Sequence, residues 1–324
     1  MNLTFALLAA VIFATGLSAP IVWAMIKIGP VDRPNARSSH TQPVPKGGGL
    51  GPVVVFLGTM TAVVISSGWD GLALLGLGFL VVPTVALLDD IYDLRITIKL
   101  AAQVIGAGLV VASGLTVSHL GPLPLGPFGP VLTVCWIVYV TNAVNFMDGL
   151  NGLVAGTSAI AAIALVTSTA AMTKFPAAIL AGSLLGFLPF NFPRARIFLG
   201  DVGSQFCGFT LAVFAVIEVG SETQTGLIVP LALMALLVDV AVTLVRRFAA
   251  GVRVTQAHRS HCYQLLHRTG VPAPWVTAAV WAMAAWGAAC ASLPWAAAIP
   301  LALTPPAAWT AWTWRRAGAR LETW

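Results

Sequence analysis

The chain has 324 residues, 58% of them hydrophobic and only 9% charged, with a mean hydropathy of +0.90. A soluble domain carries about 25% charged residues, so the composition excludes a water-soluble globule and makes lipid the solvent for most of the surface. The net charge of +6 and pI near 9.6 read as membrane topology rather than nucleic-acid binding, because basic residues gather on the cytoplasmic side.

A spanning helix needs about 20 apolar residues, and the alternating pattern of a membrane barrel is absent, which leaves helices. Apolar runs at 3–27, 48–67, 71–88, 98–115, 129–145, 153–172, 177–192, 204–219, 226–244, 275–291 and 295–313 predict an all-α, polytopic membrane protein of about eleven transmembrane helices. The first run resembles a signal peptide, but its first cation is Lys27, after the apolar stretch, and it reads as a retained span. With the N-terminus out and the C-terminus in, every Lys and Arg except Lys174 lies at the inner face. Segment 118–130, rich in Pro and Gly, predicts a turn or hairpin on the outer face. The inner segment 246–274 is the longest and most basic, and the helix before it either continues past the bilayer or breaks near its inner end. The four cysteines have no CxxC spacing, so neither disulfide nor metal thiolate is expected. The reading is one transmembrane domain over 1–324, with catalytic cytoplasmic loops at 29–47, 89–97, 146–152, 193–203 and 245–274.

The polar clusters sit at alternate joints between the apolar runs. In Asp89-Asp90-x-x-Asp93 the helical spacing puts the carboxylates on one face. They repel unless a cation intervenes, and oxygen ligands of this kind suit Mg2+ bridged to phosphates. The plainer alternative is a solvated helix end beside Arg95 and Lys99. Asn142, Asn145 and Asp148 form a polar stripe that runs into Gly149-Leu150-Asn151-Gly152. That stripe suits a ribose, a nucleobase edge or a metal's outer shell, or equally a capped turn. In Gly200-Asp201-Val202-Gly203-Ser204, just before a helix start, a metal-binding carboxylate meets free N–H groups that favour phosphate. An ordinary N-cap by Asp201 or Ser204 is the alternative, though it leaves Arg194 and Arg196 just upstream unexplained.

His258-Arg259-Ser260-His261, followed by Tyr263 and Gln264, reads as an anion clamp, with a zinc pair or a solvated basic loop as rivals. The stretch from Asp32 through Arg37, His40 and Lys46 to Gly49 could cradle phosphate or contact lipid headgroups. Asp239, inside an apolar run, must face the site or anchor a loop by pairing with a cation.

These motifs, in this order, resemble the polyprenyl-phosphate N-acetylhexosamine-1-phosphate transferase family, which includes the translocase of peptidoglycan synthesis and the enzymes that start O-antigen. The resemblance runs from the Asp-Arg-Pro-Asn-x-Arg loop at Asp32 to the His-Arg-Ser-His loop ending at His261. It implies a multi-pass protein of the bacterial inner membrane with a cytoplasmic site. It implies transfer of N-acetylhexosamine 1-phosphate from UDP-N-acetylhexosamine to undecaprenyl phosphate, releasing UMP. Membrane lipids are the other expected partners, a homodimer is compatible with it, and nucleic acid is not a partner.

Carried over by position, the resemblance makes Asp201 the ligand of Mg2+ (or Mn2+) and Asp89 the group that deprotonates or positions the lipid phosphate. Asp90 and Asp93 would support the metal and nucleotide region, and Lys99 would contact phosphate. Asn142, Asn145, Asp148 and Gly149 would line the nucleotide pocket, and His258 and His261 would sit near the sugar or pyrophosphate. Arg37, His40, Arg196, Gly203, Ser204 and Arg259 complete the expected substrate contacts. The peptidoglycan enzymes carry a three-histidine run where this chain has His-Arg-Ser-His-x-Tyr-Gln. That departure argues against a muramoyl-pentapeptide substrate and for the O-antigen or capsule branch. A prenyltransferase would need two similar Asp-x-x-x-Asp motifs, and a transporter for a divalent cation or sugar would need polar groups on both faces.

Overall fold

A computed structural model describes residues 2–32, 42–67, 71–120, 123–168, 170–221, 225–252 and 258–321. Arg37 and His40 fall outside the described residues.

Helix α1 (Leu3–Ile28) leads through a short antiparallel pair, β1 (Val31–Asp32) and β2 (Val44–Pro45), into α2 (Leu50–Ser67). Then come α3 (Gly71–Tyr92), α4 (Ile96–Ala112) and a second hairpin, β3 (His119–Leu120) with β4 (Leu123–Pro124). This second hairpin is the one expected within 118–130. The chain continues as α5 (Gly129–Phe146), α6 (Leu153–Thr167), α7 (Lys174–Asn191) and α8 (Gly200–Ser221). It closes with α9 (Ile228–Ala232), α10 (Met234–Ala249), α11 (Cys262–Arg268), α12 (Ala273–Cys290) and α13 (Trp295–Arg320).

Every expected apolar run is helical, with α9 and α10 together answering the ninth. Among the described residues, five helices are long and apolar enough to cross a membrane: α1, α3, α5, α8 and α12. The α9–α10 pair, bent by 57°, adds a sixth when taken as one span. The molecule is therefore an all-α protein of membrane character. The bend differs in position from the expected break. It falls at Leu233, at the start of the long helix, while α10 runs on unbroken past Arg246 and Arg247 to Ala249.

Helix α8 is the axis of the fold. Of its apolar window 89% is buried, against 28% for α1, so α8 is enclosed by protein whereas α1 presents most of its surface outward. Its neighbours include α3, α5 and α6. Phe206, Phe209 and Phe214 project from it and are fully or almost fully buried, with Phe206 and Phe209 packing edge-on against Phe56 and Phe79. With lipid as the alternative neighbour, the gain comes from close packing and edge-on ring contacts, about 0.5–1.5 kcal/mol per aromatic pair. Centring α8 this way brings its N-terminal turn level with the last turn of α3 and the first turn of α4.

Candidate active site

The site is built on the joint between α3 and α8. Asp90, in the last turn of α3, accepts from the backbone N–H of Asp201 at 3.1 Å on one oxygen and of Val202 at 3.0 Å on the other. Free N–H groups at a helix start seek an acceptor, and a carboxylate there also meets the positive end of the helix dipole. The sequence suggested a cap from Asp201 or Ser204; the carboxylate that meets these amides instead comes from another helix. Gly200 makes room for it. Its backbone is left-handed (φ 78°), and a Cβ there would fall 2.7 Å from Asp90 Oδ2. Lys46, carried in just after β2, sits 3.5 Å from the same carboxylate.

Helix α8 starts at Gly200, so Asp201 belongs to its first turn and not to a loop before it. Lys99 of α4 lies between Asp201 and Asp89: its Nζ is 2.8 Å from Asp89 Oδ2 and 3.6 Å from Asp201 Oδ2. The second oxygen of Asp89 accepts from the Leu94 N–H at 2.7 Å. The Asp201 side chain is 31% exposed, against 6% for Asp89 and 4% for Asp90. Asp201 is therefore the carboxylate of the three that an incoming group can reach.

A chain of amides backs Asp201. Asn145 and Gln205 each point an N–H at its Oδ2, at 3.5 and 3.4 Å. Ser204 donates to Asn145 Oδ1 at 2.9 Å. Gln103 donates to Gln205 at 3.1 Å, and Asn142 donates to Gln103. Sequence reading missed Gln103 and Gln205. Their signal was present: each lies four residues after a charged site residue, Lys99 and Asp201, inside an otherwise apolar helix.

A cavity of about 620 Å3 opens beside this cluster, lined among others by Lys46, Asp90, Asp148, Asn151, Arg194 and Asp201. Burial pushes the Asp148 carboxyl well above the usual carboxylate range, and the charges of Asp201 and Asp90 add to the effect. The loop that carries Asp148 is held from outside. Gly152 N donates to Asn191 Oδ1, Trp281 donates to Gly152 O at 3.0 Å, and Tyr263 donates to Phe146 O at 3.2 Å. Gly149 lies under Tyr263, whose hydroxyl would be 2.3 Å from a Cβ there. Gly203 is likewise a close-approach residue, packed against Gly49.

Several expected site residues lie apart from this group. Asp93 turns left-handed at φ 50° just beyond α3 and is exposed, because the helix ends before it can share a face with Asp89. Arg196 packs over the Phe190 ring, while Arg194 lines the cavity. His261 is 3% exposed, and its Nδ1 lies 3.2 Å from Asp239 Oδ1, which also accepts from Cys262 N and Thr243 Oγ1. Asp239 thus anchors the start of α11, as one of its expected roles had it, through a backbone N–H, a hydroxyl and an imidazole where the expectation was a cation. His258 lies beside His261 with ring centres 4.9 Å apart and planes tilted by 36°. Burial lowers its pKa to about 4, and His261 and Arg247 push the same way. Arg259 is half-buried, and its carbonyl accepts from Arg268. The cavity wall nearest this segment is made by Gln264 and His267.

The residues fit a hard divalent cation. Four carboxylates (Asp89, Asp90, Asp148, Asp201) meet two ammonium groups (Lys46, Lys99), leaving two negative charges when all are ionised. Burial raises the Asp148 pKa most, and the neighbouring charges of Asp201 and Asp90 add to it. Among the described residues no group of three or more His, Cys, Asp or Glu side chains is placed to hold a metal ion by itself. Mg2+ needs no such group, since it binds through one or two carboxylates and completes its shell with water and phosphate oxygens.

Residues 72–219 match the family described as "Glycosyl transferase family 4". The chain is 30% identical over 264 residues to a "Probable undecaprenyl-phosphate N-acetylglucosaminyl 1-phosphate transferase" of Bacillus subtilis, covering 76% of this chain and 72% of the relative. It is 31% identical over 305 residues to the "Decaprenyl-phosphate N-acetylglucosaminephosphotransferase" of Mycobacterium leprae, covering 80% and 74%. It is 30% identical over 288 residues to the "Undecaprenyl-phosphate alpha-N-acetylglucosaminyl 1-phosphate transferase" of Haemophilus influenzae, covering 80% and 79%. The matched stretch begins with α3 and ends with α8, so it holds Asp89, Lys99, Asn145 and Asp201 together, and with relatives aligned over most of both lengths the chain belongs to glycosyl transferase family 4.

Proposed function

We propose that this chain transfers N-acetylhexosamine 1-phosphate from UDP-N-acetylhexosamine to a polyprenyl phosphate such as undecaprenyl phosphate. An oxygen of the lipid phosphate forms a bond to the β-phosphorus of the nucleotide sugar, the bond to the bridging oxygen breaks, and UMP leaves. The observation that carries the reading is the Asp89–Lys99–Asp201 bridge, whose Asp201 lines a cavity of about 620 Å3, in a chain whose relatives are named for this transfer.

Mg2+ held by Asp201 would polarise phosphoryl oxygens and offset their charge. Asp89, buried behind Lys99, positions the lipid phosphate through that lysine, whose ammonium it holds at 2.8 Å. Lys46 and Arg194 offset charge on the diphosphate. The amides of Asn142 and Asn145, with Asp148, suit the uridine and ribose. Asp90 acts on structure, holding the first turn of α8 so that Asp201 faces the cavity.

The finer reading has eleven spans, the N-terminus outside, the C-terminus inside and the site at the cytoplasmic face of a bacterial inner membrane. Its support is the sorting of Lys and Arg to one side of the apolar runs. O-antigen or capsule initiation is favoured over muramoyl-pentapeptide transfer by the His258–His261 segment. The deciding assay incubates the purified protein with undecaprenyl phosphate, Mg2+ and a panel of UDP-sugars. UMP release with a lipid product of the matching mass is expected for a UDP-N-acetylhexosamine, and failure with every such donor would overturn the proposal.

A further inference from the structure

Lys99 stands where the chemistry asks for a cation. Its ammonium is 2.8 Å from Asp89 and 3.6 Å from Asp201, so one lysine bridges carboxylates from two other helices. The other donors around Asp201 Oδ2 are neutral and long, Asn145 at 3.5 Å and Gln205 at 3.4 Å. All three contacts to that oxygen lie at or beyond the outer limit of a hydrogen bond, whereas the grip of Lys99 on Asp89 is short.

Resting on the function proposed above, we propose that Lys99 is a built-in competitor for the divalent ion: its ammonium occupies the gap between Asp89 and Asp201 and gives up Asp201 when the ion binds. Two carboxylates facing each other without a cation repel, which is why the lysine sits there. An ammonium and a divalent ion against the same carboxylate also repel, so each weakens the hold of the other. The lysine stem is flexible and its side chain is 24% exposed, so it swings away without moving a helix. Two consequences follow from the charges. The site binds its ion more weakly than the carboxylates alone would, and the released ammonium turns to an anionic substrate oxygen, so ion and substrate phosphate favour each other's arrival.

The test measures Mn2+ binding to the full chain in nanodiscs by electron paramagnetic resonance, without substrate. Lys99→Met and Lys99→Gln are expected to bind Mn2+ at least about ten-fold more tightly than wild type, as removal of a unit charge a few ångströms away requires. Unchanged or weaker binding in both variants overturns the inference. A second measurement needs no variant. Mn2+ should raise several-fold the labelling of Lys99 by a water-soluble amine reagent, read by peptide mass, and labelling that stays level or falls overturns it. Wild-type Mn2+ binding with level labelling sinks this inference alone. Mn2+ binding by neither wild type nor variants sinks the metal reading of the site with it.

Discussion

The carboxylate of Asp90 ends on the backbone N–H of Asp201, 3.1 Å away. Two acids that the sequence offers as equals for chemistry therefore do different work, one holding the helix start and the other facing the cavity. Asp90→Ala removes the acceptor for two N–H groups at the start of α8. It is expected to cost about 0.5–2 kcal/mol, the range for a lost helix cap, seen as a lower thermal midpoint in detergent. A midpoint unchanged from wild type would remove this role.

Asp201→Asn has the opposite signature. Its side chain is the most open of the three carboxylates, so the fold should survive with a thermal midpoint near wild type. UMP release should fall at least about 100-fold, the scale for losing an electrostatic stabiliser of a developing charge. Near-normal turnover would end the assignment of Asp201 as metal holder.

Gln205→Leu tests the amide chain. It strands the Gln103 N–H, buried among helices, and a buried unsatisfied donor costs about 1–3 kcal/mol. The double variant Gln103→Leu/Gln205→Leu removes both partners and should recover part of that stability. Simple additivity of the two single variants would argue against a connected chain.

His258 sets a pH dependence. Its pKa is lowered from 6.5 to about 4 by burial, with His261 and Arg247 adding to it. The unfolded chain therefore binds more protons than the folded one between these values, so stability is full above pH 6.5 and falls as the pH drops toward 4. Thermal midpoints measured between pH 7 and 5 should decline in wild type and decline less in His258→Asn. Equal slopes in the two proteins would refute it.

The helical architecture and the position of the polar joints were legible because apolar run length and charge placement are one-dimensional signals. So was the role of Asp239, since a carboxylate in an apolar run must find a partner. Spacing reports which residues share a face, but not what lies opposite. That is why Asp89, Asp90 and Asp93 looked alike until α8 and Lys99 stood before the first two, and until the chain turned left-handed at the third. It is also why Arg196 seemed as good as Arg194, and why Gln103 and Gln205 passed as ordinary helix residues. The bend at Leu233 had a signal, Pro230 three residues before it, that the reading of 226–244 as one span passed over.

The enclosure of α8 decides which parts of the molecule move during turnover. A post walled in by other helices along its length cannot tilt or slide without unpacking its phenylalanines, so the reacting centre is stationary. Both reactants must travel to it, the lipid from the bilayer plane and the nucleotide from water.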